Sequence, residues 1–334
     1  MTSGAESITA EPRWRQLLAY LTPDRRRVFY AFGAAILVFV VGELLHPGFA
    51  SAESVKAILV IASFVGFVAA GQTFVILIGG IDLSVPWVLN AAAILLVTTS
   101  LGRDGRAAQA VLLTLALGLA TGLLNGVGIA YFAVPAVVMT LGMNGIMEGL
   151  SLGLSKGLTC SSCASYAPPA VQDVVRTDVA GIPADLLLWL GITIMITFLL
   201  SATTFGRRIY AIGNNETASF LAGISVRVVT VALYMLSGLF AALAGIVLVG
   251  YGGQATLGMG DPYLFQSIAA CVIGGISILG GRGHYLGTVA GSITLVALVS
   301  VLLAENMPDW GRSVVYGVSI LFILLLYGRE RRQL

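Results

Sequence analysis

Residues 57–79 read Ala57-Ile58-Leu59-Val60-Ile61-Ala62-Ser63-Phe64-Val65-Gly66-Phe67-Val68-Ala69-Ala70-Gly71-Gln72-Thr73-Phe74-Val75-Ile76-Leu77-Ile78-Gly79. No charge interrupts these 23 positions, and a helix needs about 20 mainly apolar residues to cross a bilayer. Charge returns only in Gly80-Ile81-Asp82-Leu83-Ser84-Val85, which places Asp82 just past the inner end of this span.

The same ruler finds ten segments along the chain, near 28–45, 57–79, 86–101, 108–131, 134–154, 184–204, 228–250, 262–281, 285–304 and 312–327. The third and tenth are short, so eight or nine full spans with a re-entrant piece is the alternative. Composition agrees: of 334 residues 57% are hydrophobic and 10% charged, where a soluble domain carries about 25% charge. Mean hydropathy is +0.95. An ordinary soluble enzyme is excluded, and so is disorder, which needs low hydrophobicity and high charge. The 41 glycines fit, because Gly is frequent in transmembrane helices. The expected fold class is an all-α polytopic membrane protein of about ten transmembrane helices. It has a tail at 1–27, one membrane domain at 28–327 and a second tail at 328–334. No cleaved signal is expected, since the first apolar run comes after a polar tail holding Arg13, Arg15 and Arg25-Arg26-Arg27.

Orientation follows from Arg and Lys, which favour cytoplasmic loops. With the N-terminus inside, twelve of the 18 basic residues lie inside and six outside. Both termini are Arg-rich, so both are cytoplasmic and the number of crossings is even. The long external segment, about 155–183, then holds Cys160 and Cys163, a pair that can persist as a disulfide in an oxidising compartment or remain as thiols. Cys271, in an apolar run, reads as a small core residue. Trp87, Trp189 and Trp310 fall near span ends, where aromatic anchors are expected.

Much chemistry is missing. Lys56 and Lys156 are each followed by a residue other than Ser or Thr and neither comes after Gly, so no phosphate-binding loop exists. The two histidines, His46 and His284, are too far apart in sequence for a His-Glu-x-x-His zinc motif, and no metal site is expected. No basic stripe with interleaved aromatics points to nucleic acid. Ionisable residues in the spans are few: Glu43 and Asp185 near ends, and Glu148 deeper. Glu148 is thin support for a proton relay. The polar span residues are mostly neutral, including Gln72, Asn90, Asn125, Asn144 and Gln266. Such groups glue helices together by hydrogen bonds or line a path for a neutral, hydroxyl-rich solute.

The inner loop, about 205–227, contains Gly213-Asn214-Asn215-Glu216-Thr217-Ala218-Ser219-Phe220-Leu221-Ala222-Gly223. Asn214 or Asn215 can cap a short helix whose first turn holds Glu216. This stretch resembles the corresponding loop of the permease subunits of ribose/xylose/arabinose-type ABC sugar importers. Further blocks are similar in order and spacing: Gly79-Gly80-Ile81-Asp82-Leu83-Ser84-Val85, Pro135 through Gly149, Tyr234-Met235-Leu236-Ser237-Gly238-Leu239, and Ile268 through Gly275 with Gly280-Gly281 and Gly287-Thr288 after it. The resemblance covers about residues 30–327. The chain departs from the family at Thr217-Ala218-Ser219, where Glu-Ala-Ala is common, and at Pro86, Glu148 and Gln266.

The resemblance implies a homodimeric transmembrane subunit in a bacterial inner membrane, with a fold similar to the cobalamin-type importer permeases. Its implied partners are a second copy of itself, a cytoplasmic ABC ATPase holding ATP and Mg, and a periplasmic sugar-binding protein; the chain itself carries no cofactor and is no enzyme. The coupling residues would be Gly213, Asn214, Asn215, Glu216, Thr217, Ala218, Ser219 and Gly223. Gln72, Gly79, Gly80, Asp82, Asn90, Asn125, Asn144, Gln266, Gly274 and Gly275 are the pathway or helix-break candidates. Asp82 is expected to pin the Gly79-Gly80 break through freed backbone groups. Ile78-Gly79-Gly80-Ile81 recurs as Ile273-Gly274-Gly275-Ile276, a sign of internal repetition. The expected cargo is a monosaccharide or polyol. The alternatives are nucleosides or branched-chain amino acids on the same architecture, a proton-coupled carrier, and a passive channel.

Overall fold

A computed structural model describes residues 23–155, 166–308, 310, 311, 314, 317 and 318. Cys160 and Cys163 lie outside these residues, as does most of the tenth expected span. The order is α1 (Pro23–Leu45), α2 (Ala52–Leu77), α3 (Val85–Ser100), a 3₁₀ turn, α4 (Ala107–Ala130), α5 (Ala136–Leu154), α6 (Pro169–Arg176), β1 (Asp178–Val179), β2 (Ile182–Pro183), α7 (Ala184–Ala202), α8 (Thr204–Asn214), α9 (Glu216–Leu221), α10 (Val226–Gly252), α11 (Tyr263–Ile273) and α12 (Tyr285–Ala304). β1 and β2 form a two-stranded antiparallel hairpin.

Among the described residues seven helices are long and apolar enough to cross a membrane: α1, α2, α4 extended back through its 3₁₀ turn, α5, α7, α10 and α12. α3 and α11 are apolar but shorter. Nine of the ten expected segments are thus occupied by apolar helices. The eighth differs most, because residues 274–281 of the expected 262–281 span are not helical. Hydropathy registers apolarity, and a glycine-rich connector scores like a helix.

The helices differ in what surrounds them. α2 is buried on every face from Ala62 to Leu77, whereas α1 presents Ile36, Leu37, Val40, Val41 and Leu44 outward. A helix apolar all round is either a core helix or a membrane span, and α2 is both. Lipid tails are as apolar as leucine, so packing and polar contacts hold such helices together. On α4, Gly118, Gly122 and Gly126 let the backbone of α10 approach directly, against Gly238, Tyr234 and Val231. α2 is fastened to α11 and α12 by hydroxyl contacts, Thr73 to Thr288 at 3.0 Å and Thr73 to Cys271 at 3.5 Å. Cys271 is the buried core residue expected.

Trp87 and Trp189 are buried rather than interfacial. Trp189 lies over Gly66, where no side chain competes for the space. Its indole N–H donates to Tyr285 Oη at 3.1 Å, and Tyr285 donates in turn to the Gly66 carbonyl at 2.9 Å. A satisfied N–H removes the reason for an indole to seek the interface. Trp310 is exposed, in keeping with an anchor.

Contacts between the connectors sort them to two ends. One end carries residues 166–183, with the Lys56–Asp178 ion pair at 2.9 Å and the His46–Glu305 contact at 3.1 Å. The other carries residues 203–225 and 274–284, with Arg227 over the Tyr131 ring at 5.7 Å.

Candidate functional site

Two helices stop abruptly by the same device. α2 ends at Leu77; Gly79 N–H then donates to the Ile76 carbonyl and Gly80 N–H to that of Val75. α11 ends at Ile273; Gly275 N–H donates to Val272 and Ile276 N–H to Cys271. Both are Schellman caps, in which a left-handed residue turns the chain so that the last carbonyls are satisfied. Gly79 (φ 81°) and Gly275 (φ 85°) supply that conformation, which a side chain would strain. The Gly-Gly repeat is therefore real in the backbone, but shifted by one residue: Gly79 corresponds to Gly275, not Gly274.

After the first break the chain turns back into the bundle. Asp82, 1% exposed, accepts hydrogen bonds from Ser84 N–H (2.9 Å), Ser84 Oγ (2.6 Å) and Ser237 Oγ (2.7 Å). Asn125 Nδ2 donates to Ser84 Oγ at 2.9 Å, which brings α4 into the same network. Ser237 is the twelfth residue of α10, so at 1.5 Å per residue Asp82 sits about 17 Å along a helix of roughly 40 Å. It lies near mid-bundle, not just past a span end. Nor does it pin the Gly79-Gly80 break: it holds the start of α3 and ties α3 to α10.

Around this network several buried polar atoms lack a hydrogen-bond partner among the described residues. They are both amide atoms of Gln72, Nδ2 of Asn90, Oδ1 of Asn125, Oδ1 of Asn144 and Oη of Tyr234. Asn90 uses its other end to accept from the Met259 N–H at 3.2 Å, holding residues 253–262, which return from the 166–183 end, against α3. Gln266 is half-buried on α11. Glu148 is half-buried on α5 and close enough to Asp261 to act on it electrostatically. Sequence reasoning missed Tyr234 as a polar candidate. Its hydroxyl faces Gly80, a partner 154 positions away.

At the 203–225 end, α8 buries Gly206, Ile209 and Ile212 along one face and turns Arg207 and Arg208 outward. Asn215 caps α9, its Oδ1 accepting from Ala218 N–H at 2.9 Å, with Glu216 in the first turn. Gly223 N–H and Ile224 N–H close the far end on Phe220 and Ser219. α9 buries Ser219 and leaves Glu216, Thr217 and Ala218 in the open. Its Phe220 and Leu221 are 69% and 80% exposed. At the opposite end a cavity of about 310 Å³ is lined by Lys56, Arg176, Asp178, Asp185 and Tyr251, among others.

Interrupted apolar helices around a buried polar seam, with a capped arm at one end, define a polytopic membrane protein of the transport class. Residues 54–324 match the family described as the permease component of the branched-chain amino acid transport system, and the chain belongs to that family. It is also similar to the autoinducer 2 import system permease protein LsrC of Escherichia coli (strain K12 / DH10B), at 32% identity over 92% of this chain and 89% of the relative. The LsrC proteins of Shigella flexneri and Salmonella choleraesuis are 32% identical over 92% and 89% of this chain, covering 89% and 84% of their own lengths. No solved structure matches significantly.

Proposed function

We propose that the chain is the membrane-embedded subunit of an ATP-driven, binding-protein-dependent importer for a monosaccharide or related polyol, working by alternating access. One observation carries this reading: a helix of six residues, capped at both ends, holds Phe220 and Leu221 in the open. Exposed apolar side chains on a rigid arm suit docking to a soluble partner. The partner is a cytoplasmic ABC ATPase that binds ATP and Mg, and its closure pushes α9. A second permease copy and a periplasmic binding protein complete the complex.

The 203–225 end is then cytoplasmic, and so are both termini. Arg27, Arg207, Arg208, Arg227 and Arg282 gather there, as the positive-inside rule favours. The cavity beside Lys56 and Asp185 faces the binding protein. Gln72, Asn90, Asn125, Asn144 and Tyr234 form the solute path, their unpartnered atoms finding solute hydroxyls when the seam opens. An unpaired buried polar group costs about 1–3 kcal/mol, a cost that glue alone does not explain.

The family description favours a second reading, a branched-chain amino acid as cargo. Among the described residues the fully buried charged side chains are Asp82 and Asp185, both acidic, and a like charge beside them disfavours an amino acid carboxylate. Reconstitution of the permease with its ATPase and binding protein in vesicles separates the readings. Monosaccharide uptake requiring ATP and the binding protein is expected. Uptake without either component, or of leucine in place of sugars, would sink the proposal.

A further inference from the structure

Three chain segments meet backbone to backbone where α8 ends. A Cβ at Gly213 would strike the Leu77 carbonyl oxygen and the Gly281 amide nitrogen. Gly281 N–H donates to that same Leu77 carbonyl at 2.8 Å. A Cβ at Gly280 would stand 2.8 Å from Gly79 N, 3.0 Å from Leu77 O and 3.1 Å from Gly213 O. Two side chains of α8 clamp the same loop: Tyr210 Oη donates to the Gly283 carbonyl at 2.8 Å and Asn214 Nδ2 to the Gly281 carbonyl at 3.2 Å. The end of α2, the loop after α11 and the end of α8 thus share one joint. The first break and the loop leaving the second touch each other there, and α9 begins just beyond it at Glu216.

Where backbone meets backbone no side chain lies between to slip or repack, and Tyr210 and Asn214 tie the loop to α8, so displacement of one segment moves the others. The geometry points to this joint as the transmission element of the permease. Gly213, Gly281, Tyr210 and Asn214 are positioning residues that convert a push on α9 into movement of both helix breaks, and through residues 78–84 into movement of the Asp82 network. This rests on the reading of α9 as the ATPase-docking arm. The joint is built of glycine because a Cβ would part the chain segments that must move together.

The test uses the complete complex with Leu279, 58% exposed beside the joint, as reporter. In a Leu279→Cys permease with Cys160 and Cys163 replaced by serine, maleimide labelling is timed with and without ATP plus vanadate. Labelling is expected to change several-fold on trapping. Tyr210→Phe removes one neutral hydrogen bond, worth about fivefold in an equilibrium, and should weaken that response while ATPase retention and ATP hydrolysis persist. Gly281→Ala, whose Cβ would stand 2.7–2.9 Å from Asn214, should abolish the response. An undiminished response in both variants, with the ATPase bound, overturns the joint. Failure of the parent permease to retain the ATPase overturns the docking arm and the joint with it, and is told apart because in the first case the ATPase stays bound.

Discussion

The two helix breaks make the most instructive contrast in this molecule. They share a hydrogen-bond pattern, a left-handed glycine and an apolar helix on the N-terminal side. They differ in the chain that leaves them. After Gly79 the chain needs six residues to start α3, and those residues carry Asp82 and Ser84 into a buried network reaching α4 and α10. After Gly275 the chain takes ten residues to reach α12, including Gly280-Gly281-Arg282-Gly283, and it meets α2 and α8 chiefly through its backbone. One break, itself at the joint beside the arm, leads into a network of hydrogen-bonding side chains near mid-bundle. The other is built of glycine and sits beside the arm. A polar network can exchange partners with a solute. A glycine joint can only be pushed.

That contrast can be broken from either side. The largest effect is expected at the glycine joint: Gly213→Val should abolish ATP-dependent uptake, because its side chain meets backbone on two sides. Uptake assays on reconstituted vesicles decide it, and near-normal transport would mean that the packing at Gly213 is incidental.

Next comes Asp82→Ala at the polar break. It leaves the Ser84 N–H and the Ser84 and Ser237 hydroxyls without their acceptor, at about 1–3 kcal/mol for each buried group left unpaired. The melting temperature in detergent should fall by many degrees, and Asp82→Asn should recover part of the loss. An unchanged melting temperature for Asp82→Ala would remove the network from the structural core.

How much of the molecule is legible in its sequence depends on the range of each signal. Apolar runs are local, so the spans, and α2 above all, can be read directly. The α9 cap is local too: Asn215, Glu216 and Gly223 lie within one short stretch, and each does what its position suggests. Asp82 is legible as important but not in its role, because its partner Ser237 lies 155 positions away. Trp189 reads as an anchor for the same reason, its partner Tyr285 being 96 positions distant. The helical end of the eighth span cannot be read, since Gly274 through Leu279 scores as apolar without forming a helix.

Gln72→Leu sharpens the polar side of the contrast. Its two amide atoms are buried without partners among the described residues, so an apolar side chain of similar size should leave stability equal or raise it by about 1 kcal/mol. Sugar uptake should nonetheless slow. A variant less stable than the parent would identify Gln72 as helix glue. The smallest effect is expected for Asn125→Ala, which loses one hydrogen bond to Ser84 Oγ, worth about 1 kcal/mol, and should lower uptake a few-fold.

The most direct test of coupling through α9 is photo-crosslinking in the assembled complex. A benzophenone side chain is placed at Leu221 and, as a control at the same end, at Phe132, which is 75% exposed. Docking at α9 predicts a crosslink from position 221 to the ATPase that changes in yield with ATP, and none from position 132. Equal crosslinking from both positions, or none from position 221 while the ATPase remains bound, would contradict it.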